Sequence, residues 1–143
     1  MRTTPIERTA AAFLLLEGSA VVGLSVWELL ALVTGDTASI ASAVALLVLT
    51  LIGAAAVLAF GVSVARGISW GRSGGVVTQL LILSVAGGSL TGEGAKPEIA
   101  LLLAAPAVIG LVLLIAASRA AGRRARAEEA ALDADADADA DAE

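Results

Sequence analysis

The sequence predicts an all-α fold: a transmembrane four-helix bundle with short loops and a disordered acidic C-terminal tail. Three observations carry this. Of 143 residues, 58% are apolar and only 16% charged, a composition of integral membrane proteins rather than of soluble domains. The apolar residues fall into four runs, 9–33, 38–65, 74–90 and 97–118, of 25, 28, 17 and 22 residues. Crossing a ~30 Å hydrocarbon core takes about 20 helical residues, so the third run is the marginal one. The remaining charges crowd into the ends and loops: residues 119–143 hold four arginines and eight acids, −4 of a total of −5. The expected organisation is a membrane domain over 1–127 and a tail over 128–143.

The chain has no cysteine, no histidine and no tyrosine. Disulfide and thiolate chemistry are excluded, as are the usual general base at neutral pH and the commonest metal ligand. No metal site, cofactor or catalytic residue is expected, and an acidic chain has no basic surface for nucleic acid. Arginine outnumbers lysine eight to one and alanine abounds, a bias of GC-rich bacterial genomes.

Helix 1, over 9–33, follows Arg2 and Arg8. Arg66 and Arg72 lie between helices 2 and 3, and Arg119, Arg123, Arg124 and Arg126 follow helix 4 as a basic collar; the other two loops hold only Lys96. Short positively charged loops stay on the cytoplasmic side, so both termini are expected in the cytoplasm of a bacterial cell, with the chain multi-pass in its membrane. Trp27, near the outer end of helix 1, and Trp70, beside Arg72, suit the interfacial aromatic belt. A cleaved signal peptide, ending at the A-S-A of 41–43, is the competing reading of the N-terminus. The apolar stretch is too long for it and contains acids, so an uncleaved helix is expected.

In helices 1 to 3, small residues recur at packing distance: Ser19 and Gly23, Ala55 and Ala59, Gly61 and Ala65, Ser84 and Gly88. Such pairs let backbones approach closely in a bilayer. Helix 4 contains Pro106, which should kink it or free a carbonyl near residue 102. The collar beyond it is expected to serve topology and anchoring; anionic-lipid binding by its four arginines would be weakened by the acids that follow.

Two motifs invite chemistry. Gly67-Ile68-Ser69-Trp70-Gly71 matches the G-x-S-x-G elbow of α/β hydrolases, but without histidine no Ser-His-Asp triad can form. Aspartates at every second position from 133 to 141 resemble the start of an EF-hand loop. That loop needs Gly at its sixth position and Glu at its twelfth, where this chain has Ala138 and no residue. An alternating Ala-Asp run with little to bury is expected to stay disordered.

The residues that need explaining are Glu17 and Glu28. Eleven residues apart, they share a helix face, ~16 Å apart along the axis. Glu28 lies near the end of its run, so it is expected to reach the outer interface beside Trp27. Glu17 lies ~12 Å inside the helix start and must face protein or a water-filled cavity. Gln79, with Thr78 beside it, lies ~7 Å into helix 3, which runs in the same direction, so its amide can donate to the carboxylate. Arg66 or Arg72, reaching inward, would be an alternative partner. Either way the predicted role of Glu17 is structural.

An acid in helix 1, then R-G-I-S-W-G-R at 66–72 leading into V-V-T-Q-L-L at 76–81, resembles a group of small, uncharacterised four-helix membrane proteins of actinobacteria. The resemblance spans roughly 8–118 and implies fold and source, with no activity attached. Small multidrug resistance transporters also have four short helices and a proton-exchanging glutamate in the first, which would correspond to Glu17. Their pockets stack cations on Trp and Tyr, whereas the aromatics here are Phe13, Trp27, Phe60 and Trp70. The expected function is therefore that of a small integral membrane protein without enzymatic activity, an accessory or assembly component of a membrane complex. The alternative is a proton-coupled transporter using Glu17. The expected partners are the lipid bilayer and other membrane proteins or a second copy of the chain.

Overall fold

A computed structural model describes residues 3–35, 37–91 and 95–140. Four helices follow one another: α1 (Pro5–Thr34), α2 (Ile40–Ala65), α3 (Ser69–Gly88) and α4 (Pro97–Ala140). Helix α1 packs on α2 and α4, and α3 on the same two, so the helices form a ring in chain order with α1 and α3 on a diagonal.

Two helices begin earlier than the apolar runs predict. At α1, Thr4 and Glu7 form a capping box: the Thr4 hydroxyl accepts from the Glu7 amide, the Glu7 carboxylate accepts from the Thr4 amide at 2.7 Å, and Pro5 takes the first helical position. These groups satisfy amide donors that the first turn leaves open, so polar residues before the apolar run are already helical. Helix α3 starts at Ser69 rather than at residue 74, which makes the second half of the R-G-I-S-W-G-R stretch helical. The turn before it is closed by Gly67, at φ 76°, in the left-handed region glycine enters without strain. Its amide and that of Ile68 return to the Val64 and Ser63 carbonyls.

Helix α4 extends beyond its apolar run. It passes Pro106 and the collar and runs on through the acidic segment to Ala140. The helix nucleus already exists in the membrane portion, so exposed residues rich in alanine add to it without a new nucleation cost. The side chains from 125 to 134 are all exposed. Arg2 and residues 141–143 lie outside the described residues.

The interior is built from small residues and the exterior from large ones. Buried positions include Ala10, Ala11, Ala54, Ala86, Ala107 and Ala117, while Leu16, Leu49, Ile52, Leu81, Leu101 and Leu102 are more than half exposed. That inversion suits a bilayer, where lipid solvates large apolar side chains and small ones bring backbones together. Three helices, α1, α2 and α4, are long and apolar enough to cross a membrane. Helix α3 has 20 residues, about 30 Å of helix, and falls short on apolarity because it carries Arg72, Gln79 and five glycines.

The closest approaches lie in one half of the bundle. A Cβ added at Gly18 would stand 2.8 Å from the Leu58 side chain, and one at Gly61 3.0 Å from Leu15, a reciprocal fit of α1 on α2. At Gly71 it would stand 2.7 Å from the Phe60 carbonyl oxygen and 2.8 Å from the Val64 amide nitrogen. Of the pairs picked out by spacing, only Gly61 is buried; Ser19, Gly23, Ala55, Ala59, Ala65, Ser84 and Gly88 face outward. Spacing defines a helix face without saying which way it points.

Candidate functional site

Among the described residues, the bundle interior holds three carboxylates, all on α1, and each meets a different partner. Glu17 is half-buried and Gln79 fully buried. The Gln79 amide Nε2 donates to Glu17 Oε2 at 2.6 Å. Because α1 and α3 are diagonal neighbours, this bond crosses the axis of the bundle. Gly110 on α4 makes room for it: a Cβ there would lie 2.8 Å from the Gln79 amide carbon and 2.9 Å from the Phe13 ring. The amide carbonyl oxygen, Gln79 Oε1, is buried without a hydrogen-bond partner among the described residues. Thr78, expected beside this contact, instead donates its hydroxyl to the Gly74 carbonyl one turn back, at 3.0 Å.

Neither arginine offered as a partner for Glu17 reaches it. Arg66 is exposed, and Arg72 turns to another carboxylate, Glu7. Glu7 is the functional-looking residue that hydropathy passes over, since it precedes the apolar run. It is fully buried and accepts from Arg72 Nη1 at 3.5 Å and from Arg124 Nη2. Arg72 also donates to the Gly67 carbonyl at 3.4 Å. One carboxylate thus ties the start of α1, the α2–α3 turn, the start of α3 and the collar of α4 together. The signal was legible in T-P-I-E at 4–7, a capping-box sequence with proline at the first helical position. A recess of about 420 Å³ opens beside it, walled in part by Thr3, Gly67, Ala121 and Glu128.

Glu28 is partly buried. It turns toward α2, where the Thr50 hydroxyl donates to its Oε1 at 3.2 Å, rather than extending to the interface beside Trp27. Its position on the α1 face that meets α2 explains the difference. Trp27 is 65% exposed and stands apart from that contact. Trp70, also exposed, packs edge-on against Phe60 with ring centroids 4.9 Å apart. Arg119, Arg123 and Arg126 are exposed on the outer side of α4, whereas Arg124 is drawn inward to Glu7.

Each interior acid has a donor, although Glu28 Oε2 is buried without a hydrogen-bond partner among the described residues. Ser69, the centre of the G-x-S-x-G match, is the first residue of α3, and Gly71 is wedged against the α2 backbone. Among the described residues no group of three or more acids is placed to hold a metal ion. In comparisons with protein-family models, curated proteins and solved structures, nothing matches this chain.

Proposed function

We propose that this protein is a non-enzymatic four-crossing bundle of a bacterial cell membrane, with both termini cytoplasmic, which serves as an accessory or assembly component of a larger membrane complex. The observation that carries the reading is the Gln79–Glu17 bond: the intramembrane acid is engaged in joining two diagonal helices. Among the described residues, recesses of about 400–510 Å³ on the bundle surface are lined by neither Glu17 nor Gln79. An acid held this way stiffens a scaffold.

The fourth crossing is supported by the company α3 keeps. It packs on α2 and α4 and buries Gln79, while Val77, Leu80, Leu81 and Val85 face outward. Arginines at one end and Lys96 at the other support the orientation. Reporter fusions at residues 69 and 94 should read inside and outside; the opposite pattern, or the same reading at both, contradicts a fourth crossing.

The structural role of Glu17 is tested by a double-mutant cycle on unfolding in bicelles. Interhelical polar contacts in membranes are worth about 0.6 kcal/mol and at most ~2. Glu17→Gln should be tolerated, Glu17→Leu and Gln79→Leu should each destabilise, and the double leucine variant should recover part of the loss. Strictly additive losses would remove the contact from the argument.

A further inference from the structure

The collar of α4 is divided by the structure, and the division assigns a ligand. Arg124 is turned inward to Glu7. Arg119, Arg123 and Arg126 recur at helical spacing on the opposite side, about 200° from Arg124 in the case of Arg126, and all three are exposed. Among the described residues, none of these three forms an ion pair. Glu128, which sequence order suggests as a neutralising neighbour, lines the recess of Glu7 and Arg72 instead.

Directly below, on the same stripe, lie the apolar side chains of the membrane portion. Val112, Ile115 and Ala116 form one recess of about 450 Å³ with Arg119 and Arg123, and a second of about 400 Å³ continues past Gly122 to Arg126. A cationic rim above an apolar trough is complementary to one class of molecule, a phosphodiester headgroup with acyl chains beneath it. Arginine donates to phosphate in a planar, paired geometry, and near a bilayer surface each such charge adds materially to retention of anionic lipid.

We propose that the outer face of α4 is a binding site for an anionic phospholipid of the leaflet at the arginine end, with Arg119 and Arg123 on its phosphate, Arg126 flanking it, and an acyl chain along Val112 and Ile115. The proposal rests on the membrane reading above. It is tested with the full chain in phosphatidylcholine vesicles containing a small fraction of chain-labelled phosphatidylglycerol or chain-labelled phosphatidylcholine, the motionally restricted lipid being read by electron spin resonance.

The restricted fraction should favour phosphatidylglycerol about fivefold or more. Arg119→Gln with Arg123→Gln should remove most of that preference. Arg8→Gln with Arg66→Gln takes the same charge from exposed positions at the same end and should leave the preference in place. Both double variants replace exposed side chains with good helix formers or loop-tolerant residues, so both should fold. Equal restriction of the two lipids by the unmodified protein, or equal loss in both double variants, overturns the site. Restriction of neither lipid would overturn the membrane reading, and the site with it.

Discussion

The two ends of the bundle are built differently. At the arginine end, Leu14, Val64, Leu114 and Ala117 are fully buried, Gly71 meets the α2 backbone, and Glu7 joins α1, α3 and α4 through Arg72 and Arg124. At the opposite end, no side chain of α2 from 40 to 53 is buried, and the buried residues contributed by the other helices are small: Ser25, Ala86 and Ala100. The connections match. A short turn pinned by Gly67 closes α2 onto α3 at the arginine end. Stability is therefore concentrated where helices touch through glycine and where a buried charge is paired.

The sharpest way to break this contrast is at Glu7. Removing one partner of a buried ion pair costs about 3–5 kcal/mol. Arg72 and Arg124 retain 14% and 42% side-chain exposure, so Glu7→Leu should fall near the low end of that range, still more than any single leucine-to-alanine change among the exposed residues of α2. Unfolding in bicelles, compared with Leu49→Ala at the opposite end, measures the difference. Equal losses would mean that the arginine end is not the stabilising one.

A smaller effect separates two glycines of the same helix. Gly71→Ala forces a Cβ against backbone atoms that cannot step aside and should cost about 1–3 kcal/mol. Gly87→Ala meets nothing within 4 Å, and should be neutral or stabilise by up to ~1 kcal/mol through helix propensity. Thermal unfolding of both variants in detergent checks the sign; a loss at Gly87 as large as that at Gly71 would erase the distinction between the ends.

The four helices were legible because hydropathy reports the stretch that lipid touches. The same signal misplaced the starts of α1 and α3 by four and five residues, since polar first turns at Pro5–Arg8 and Ser69–Arg72 are helical without being apolar. The Glu17–Gln79 contact was legible from matched depth in two helices running the same way. Glu7 was not, although its capping box was in plain view, because a carboxylate among arginines outside the apolar run looks solvated until the fold brings Arg72 and Arg124 to it. Thr78 and the spaced small pairs were misread for one reason: helical periodicity fixes faces, and only packing decides which face turns inward.

The contrast also carries a functional consequence at the midpoint between the ends. If Glu17 serves packing alone, vesicles containing the protein should take up a cationic dye under a pH gradient no faster than empty ones, and Glu17→Gln should give the same trace. Transport would need the acid to take up and release a proton, which an amide cannot do. Gradient-driven uptake well above that of empty vesicles, lost in Glu17→Gln while that variant remains folded, would contradict the structural assignment of Glu17.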